Sequence, residues 1–411
     1  MLVWIVNPFD PLPGDPEQDG RYATLAKLLA RRGHRVVWWT SAFSHRFKRP
    51  VDQAALTEGC RAHAIEPRFL EGRPYRRNVG LARLRNHADL ARGFMAAAAA
   101  ERERPNVIVA STPPPGLARA AVEFAADRGV ASIVDIQDAW PDAFVIVAPR
   151  IVRPALAPVI RALRRDLRRA ARGCDAIVGV ADAYVANLTR ELDAPKEAAT
   201  IPLGIDLATF DAAAAHGRCA QWTKPPGEIW VAYTGSLNRN YDFLTILRAA
   251  APTAAQFGPR VRFFLTGRGE LEPQARELVS ELSLTNVTIT GFLDFPTWAY
   301  LLTQCDVGFN ASFPETMIYL PNKVFYYLAA GAAVLNTIPG QCSAIVREAG
   351  CGLDYEARNP ESCAAAIAQV VADGACCARM RQAARRAAET SFDRAVLYPR
   401  YAELIERLGT R

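Results

Sequence analysis

Short uninterrupted apolar runs alternate along this chain with longer stretches whose apolar positions recur every three or four residues. MLVWIV (1–6), HRVVWWT (34–40), NVIVAS (106–111), ASIVDI (131–136) and DAIVGV (175–180) read as strands buried on both faces. LAKLLARRG (25–33), LARAAVEFAADRG (117–129) and 156–172 read as the helices between them. A second series begins near residue 228: EIWVAYTGS, VRFFLTG, NVTITGF, CDVGFNAS and AAVLNT. Its helices are LTILRAAAPTAAQFG, LEPQARELVSELS, PTWAYLLTQ and NKVFYYLAAG. Strand and helix in strict alternation predict a parallel sheet covered on both faces, and the two series predict two such domains in tandem. The joint is expected between IPLGID (201–206) and the polar HGRCAQWTKPPGE (216–228).

Length and composition agree with that division. At 411 residues the chain is too long for one ordinary core, and 50% hydrophobic with 22% charged residues describes a globular protein. No apolar run is long enough to span a bilayer, and MLVWIVNPFD lacks the basic start of a signal peptide, so a cytoplasmic location is expected. Nine cysteines without a CxxC pair or a neighbouring histidine predict reduced, mostly buried thiols, with neither disulfides nor zinc. The net charge of +7 is uneven: residues 1–200 hold 30 basic against 22 acidic side chains, and 201–411 hold 19 against 20. Either the first half meets an anionic partner or it carries a solvated Arg-rich face. The stretch 156–172 leaves the same choice open. Its Leu156, Val159, Ile160, Leu163, Leu167 and Ala170 form one stripe among arginines, which suits an anionic membrane surface or packing on the core.

Open parallel sheets bind ligands beyond the carboxyl ends of their strands, so chemistry is sought in the strand-to-helix loops. After the first strand, NPFDPLPGDPEQDG is unusually long, and Asp19 and Gly20 stand where its helix begins. Gly20 would admit a ligand to the backbone, whereas Asp19 could simply cap the helix. DIQDAWPDAF (135–144) ends a strand with three acids; Asp138 is the one expected at the site, and Asp142 is expected to cap a helix. In the second half YTGSLNRNYDF (233–243) and LTGRGE (265–270) share one order of strand, Gly, polar residue and Arg. Arg239 and Arg268 could each reach a diphosphate. FPETMIYLPNKVFYYLAAG (313–331) adds Glu315 and a helix start at Pro321, with Asn322 as a possible cap and Lys323 beside them. Free N–H groups, the positive helix end and an ammonium there suit a phosphate. GxGxxG, HExxH, GxSxG and Walker motifs are missing, which argues against dehydrogenase, zinc-hydrolase, serine-hydrolase and P-loop chemistry. Few aromatics accompany the basic stretch 72–92, which argues against nucleic acid.

These motifs together resemble glycosyltransferase family 4, retaining enzymes of the GT-B fold, and the surface-polysaccharide branch in particular. The resemblance spans nearly the whole chain and is carried by ARRGHRVVWWT (30–40), VDIQDAWPDAF (134–144), RGCDAIVGVADAYVANL leading into IPLGIDLATF (172–210), the GRGEL loop and LPNKVFYYLAAGAAVL (320–335). It implies an α/β architecture of two Rossmann-like doubly wound parallel-sheet domains facing a cleft. The expected divisions are an acceptor-side domain over 1–205, a nucleotide-sugar-binding domain over 206–390, and a final helix over 391–411 crossing back to the first domain. The implied activity is transfer of a sugar from a UDP- or GDP-linked donor to a saccharide or polyprenyl-linked acceptor, with no metal and no cofactor. The inner face of the cytoplasmic membrane is a further expected partner.

Carried onto this sequence, the family pattern assigns the donor to Gly20, Arg239, Gly291, Phe292, Leu293 and Lys323 with the backbone around Pro321 and Asn322; Ser236, Arg268, Glu315 and Tyr326 are further expected donor contacts. Asp138, Arg239 and Lys323 are the expected catalytic residues, and Asp19, Gln137, Asp138 and Arg76 are expected on the acceptor side. The chain departs from the pattern at Ser236 (commonly Arg), at Gln137 (commonly His) and at Tyr326, where a ribose-binding Glu is usual. Lys323 also stands where a second acid would follow Glu315. These departures keep two other readings open: a GT-B pair that binds without transferring, and a sugar-nucleotide epimerase of the same fold.

Overall fold

The computed structural model describes residues 1–410 apart from 16–19, 79, 148–150 and 152. Its strands in chain order are β1 (Leu2–Val6), β2 (Arg35–Ser41), β3 (Phe43–Ser44), β4 (Arg49–Pro50), β5 (Ile65–Leu70), β6 (Val107–Thr112), β7 (Ala131–Ile136), β8 (Ala176–Gly179), β9 (Glu197–Thr200), β10 (Ile229–Thr234), β11 (Val261–Thr266), β12 (Val287–Gly291), β13 (Val307–Asn310), β14 (Ala333–Asn336) and β15 (Gly352–Asp354). The chain divides into two compact units, residues 1–203 with 397–411, and residues 204–396.

In the first unit seven parallel strands lie in the order β5-β2-β1-β6-β7-β8-β9. The apolar run of β1 splits by side-chain alternation. Val3 and Ile5 pack with Leu25, Leu29, Tyr401 and Ile405. Trp4 turns to the opposite face, 5.1 Å from Trp39 and stacked at 5.6 Å on Phe124. Tyr401 and Ile405 belong to the last helix, Arg394–Gly409, whose Leu397, Tyr398, Leu404 and Leu408 are buried in the same core.

Asp135 explains one of the three acids at the end of β7. It is fully buried and pairs with Arg21, Nε to Oδ2 at 2.7 Å, while Tyr401 donates to it at 2.9 Å. Arg21 also donates to the Ile201 carbonyl, and its guanidinium lies over the Tyr398 and Tyr401 rings. A carboxylate, a guanidinium and a hydroxyl thus satisfy one another away from water. Asp142 opens the helix Asp142–Val147 and receives Arg164 Nε at 2.8 Å. The helix Arg153–Gly173 buries Ile160, Ala170 and Ala171, and Leu156 and Leu163 pack with Trp140. Its apolar stripe therefore faces the domain.

The second unit holds six parallel strands in the order β12-β11-β10-β13-β14-β15. Val231, Tyr233, Phe263, Leu265, Val307, Phe309 and Leu335 meet Phe243, Ile246, Leu247, Ile367 and Val370 from the helices. Among the described residues no single helix is long and apolar enough to cross a membrane.

Candidate functional site

The site in the second unit is built where β10 and β11 run out. Gly235 N donates to the Thr266 carbonyl at 3.0 Å, Leu237 N to the Arg268 carbonyl at 3.0 Å, and Gly267 N to the Gly291 carbonyl at 2.9 Å. The loops after β10, β11 and β12 are therefore laced backbone to backbone. Side chains are excluded from that contact: a Cβ on Gly267 would stand 1.9 Å from the Gly235 carbonyl oxygen, and one on Gly269 2.1 Å from that of Leu237. Gly235 itself has φ +129, a conformation that glycine adopts without strain.

Lys323 lies beneath that loop. It is 8% exposed, its Nζ donates to the Tyr233 hydroxyl at 3.2 Å, and its ammonium sits 4.2 Å from the Tyr233 ring centre and 3.8 Å from that of Tyr241. No carboxylate pairs with it among the described residues. Burial pushes its pKa well below the ordinary lysine value. Two tyrosine faces return about 1–2 kcal/mol each to a desolvated cation, while stripping an ion of water costs several kcal/mol. The charge is left short of a partner. Lys323 Nζ also lies 3.2 Å from where a Gly235 Cβ would be, so lysine and glycine loop occupy one place.

The helix Asn322–Ala330 starts at the same lysine. Pro321 is its N-cap and Asn322 its first residue, with no side chain capping it. The expected cap by Asn322 is not formed, since Asn322 stands one position inside the helix and is exposed. Among the described residues no side chain accepts from the first N–H groups, of which Val324 N reaches the Pro321 carbonyl at 3.3 Å.

The other expected donor residues are placed less uniformly. Arg239 is 81% exposed and pairs with Glu270 at 3.2 Å, so it is not the free cation expected from the sequence. Arg268 is exposed, and its backbone carbonyl, not its side chain, has a role in the loop lacing. Ser236 is exposed and receives the Tyr233 hydroxyl on its carbonyl at 3.0 Å. Gly291 takes a left-handed φ of +71; Phe292 after it is 62% exposed and Leu293 half-buried. Glu315 is occupied by Arg358, whose guanidinium pairs with it and lies 4.1 Å over Phe313. Tyr326 is drawn into an aromatic cluster, edge-on to Trp298 at 4.8 Å and 6.2 Å from Phe210, and burial raises its hydroxyl pKa.

In the first unit the expected residues sit at the ends of β7 and β1. Asp138 is half-buried and accepts from Ala139 N at 2.7 Å; burial raises its pKa, opposed by that hydrogen bond and by the Arg83 charge. Gln137 N donates to the Thr112 carbonyl. Arg76 is exposed. Asp19 lies outside the described residues. Gly20 is the N-cap of the helix Arg21–Arg31, but the space at its Cα is filled: a Cβ there would meet an Asp10 carboxylate oxygen at 2.8 Å, and that oxygen accepts from Tyr22 N. A carboxylate holds the place where Gly20 was expected to meet phosphate, and the two anions repel.

Reading the sequence missed Tyr233 and Tyr241, which box in Lys323, and Asp10, which claims the first helix start. The loops at 235–239 and 267–268, expected from the order strand, Gly, polar, Arg, are laced to each other by backbone hydrogen bonds, while the Arg239 side chain is paired with Glu270.

Two family models match the chain. Residues 21–209 match the model described as Glycosyltransferase Family 4, and residues 228–373 that described as Glycosyl transferases group 1. No curated protein matches by sequence. Among solved structures, sucrose-phosphate synthase of Thermosynechococcus elongatus superimposes with a TM-score of 0.72 at 17% identity, covering 100% of this chain and 99% of that one. HepE of Anabaena, solved with UDP, gives 0.69 at 15% identity over 99% of both chains. WaaG, a glycosyltransferase involved in lipopolysaccharide biosynthesis, gives 0.68 at 14% identity over 98% of this chain and 99% of that one. At these identities the structural likeness concerns the fold.

Proposed function

Given that the chain belongs to the family 4 glycosyltransferases of GT-B fold, we propose that it moves a sugar from a UDP- or GDP-linked donor to a hydroxyl of a saccharide or lipid-linked acceptor, with retention and without a metal. The observation that carries this reading is Lys323, a buried ammonium with no carboxylate partner among the described residues, beneath Gly235 and at an uncapped helix start. Breaking the bond between the sugar and its nucleoside diphosphate puts negative charge on the leaving phosphate. Preorganised cations and N–H groups lower that barrier most. Lys323 and the first N–H groups of its helix are such a set. The acceptor oxygen bonds to the anomeric carbon on the face that the phosphate leaves, and its proton passes to the departing phosphate oxygen. Asp138 is the residue proposed to position the acceptor or the donor sugar.

Calorimetry of the full chain with UDP and with GDP, followed by a transfer assay with nucleotide-sugars, tests this. Binding of one nucleotide with transfer is expected. Binding with epimerisation, or no binding, overturns the proposal.

A role in surface-polysaccharide assembly on the inner membrane face is the accompanying reading. Arg161, Arg165 and Arg169 recur every four residues on the helix Arg153–Gly173, exposed and unpaired among the described residues, whereas Arg164 and Arg172 are paired with Asp142 and Asp193. Three such charges contribute about 1 kcal/mol each at an anionic surface. The chain is expected to co-sediment with anionic vesicles at low salt and the triple Arg→Glu variant to stay in solution. Equal sedimentation of the two would refute membrane attachment through this helix.

A further inference from the structure

The first unit contains a second cationic cluster that the donor reading does not use. Arg83 and His87 are one turn apart at the start of the helix Leu81–Ala100, 8% and 5% exposed. Arg83 Nε donates to His87 Nε2 at 3.3 Å and its Nη1 to the Asn78 carbonyl at 2.8 Å. Its guanidinium lies 4.8 Å from the Trp140 ring centre and 5.8 Å from that of Phe9. Nearby, Lys48 donates to the Asn78 side chain and the His45 carbonyl, lies 4.9 Å over Tyr75, and approaches His45, whose Nδ1 meets the Tyr75 hydroxyl. The Phe9 ring joins the two halves, 5.2 Å from His45 and 5.5 Å from His87.

Hydrogen bonding here leaves donors over. Because His87 Nε2 accepts from Arg83, a neutral His87 carries its proton on Nδ1. That buried Nδ1 has no partner among the described residues. Burial and the Arg83 charge hold His87 neutral, pushing it down to about 3, and His45 is pushed down to about 4. The Nη2 of Arg83 makes no hydrogen bond among the described residues. Asp138 is the acid that Arg83 senses, but it lies beyond ion-pair distance. Aromatic faces return about 1–2 kcal/mol to a cation, less than the several kcal/mol lost on desolvation. Two cations, a bare imidazole N–H and aromatic walls await an acceptor-rich group. Phe9, His45, Lys48 and Asp138 are only half-buried and open the cluster to solvent.

We propose that Arg83, Lys48 and His87 form a phosphate-binding site, and that its ligand is a saccharide phosphate whose ring packs against the half-buried Phe9. An apolar lipid phosphate would leave the Asp138 carboxylate beside an alkyl chain, whereas a sugar hydroxyl can donate to it. Binding stands independently of the donor site; that the ligand is the transfer acceptor rests on the transferase reading.

The test uses the full chain with ring-labelled histidine, followed by NMR while inorganic phosphate, glucose 6-phosphate, glucose or phosphatidic-acid vesicles are added. The His87 and His45 signals are expected to move with phosphate and further with glucose 6-phosphate, and those of His34 and His216 to stay. Arg83→Gln and Lys48→Met should each weaken binding by about tenfold or more; Lys48, on a half-buried loop, keeps the test intact should Arg83→Gln fail to fold. Unmoved histidines, unchanged affinity in the variants, or a response to vesicles alone would each overturn the site. UDP calorimetry on the same samples separates the readings, since UDP binding with silent histidines removes this site and leaves the donor site standing.

Discussion

Replacing Lys323 by methionine is expected to reduce sugar transfer by about 100- to 1000-fold, the usual loss on removing one preorganised charge-stabilising group. UDP affinity should fall by about 30-fold or more, as for one charge-assisted contact. Methionine can occupy the same place beside the Tyr233 and Tyr241 rings without a charge to desolvate, so thermal stability should hold or rise. A merely structural lysine would give the opposite pattern, lost stability with retained turnover. The pH dependence adds a signature. Burial has already lowered the Lys323 pKa, and a bound diphosphate favours the charged form. UDP affinity should thus be level below the depressed value and fall as pH rises through it, with proton uptake on binding. In the free chain the sign reverses: the unfolded lysine binds the proton more tightly, so stability should rise with pH between the depressed value and the ordinary 10.5. Both trends should vanish in Lys323→Met.

Asp135→Ala should be the most damaging change in the first unit. It leaves the Arg21 guanidinium fully buried with its charge uncompensated and removes the acceptor of Tyr401. Breaking one half of such a pair costs about 3–5 kcal/mol, a fall in Tm of about 6–20 °C for a unit of this size. Because Tyr401 belongs to the last helix, hydrogen exchange should show Arg394–Gly409 losing protection ahead of the sheet. Arg21→Met with Asp135→Leu removes both charges and should recover most of the loss. If the double variant is as unstable as Asp135→Ala, packing and not charge governs the position.

Most strands whose apolar runs stand out in the sequence lie inside their sheets; β12, an edge that pairs with β11 alone, is legible instead from the alternation of VTITG. β1, β2, β6, β7 and β8 are central, or nearly so, in their sheet, and their apolar runs are unbroken because both faces are buried. β5, IEPRFL, carries a proline and charges that interrupt any apolar run. It lies at the sheet edge and pairs with β2 alone, where the N–H that Pro67 lacks is not required. β9, EAAT, and β15, GLD, are edges too, with too little buried surface to leave a pattern.

The candidate site divides in the same way. Lys323 and the helix beginning after Pro321 are local features, a breaker followed by helix formers, and were legible. The fate of Arg239, Glu315, Gly20 and Tyr326 depended on Glu270, Arg358, Asp10 and Trp298, each distant along the chain or beyond any local signal. An arginine reads the same whether it faces phosphate or glutamate.

Covalent order alone was enough for the alternation of buried strands and amphipathic helices, and hence for two parallel sheets and the loops beyond their strands, because periodicity is a short-range consequence of burying one face. Which ions in those loops are neutralised, and which are left needing an external partner, was settled by contacts between segments far apart in the chain. Electrostatic free energy depends on distance in space, and folding sets that distance.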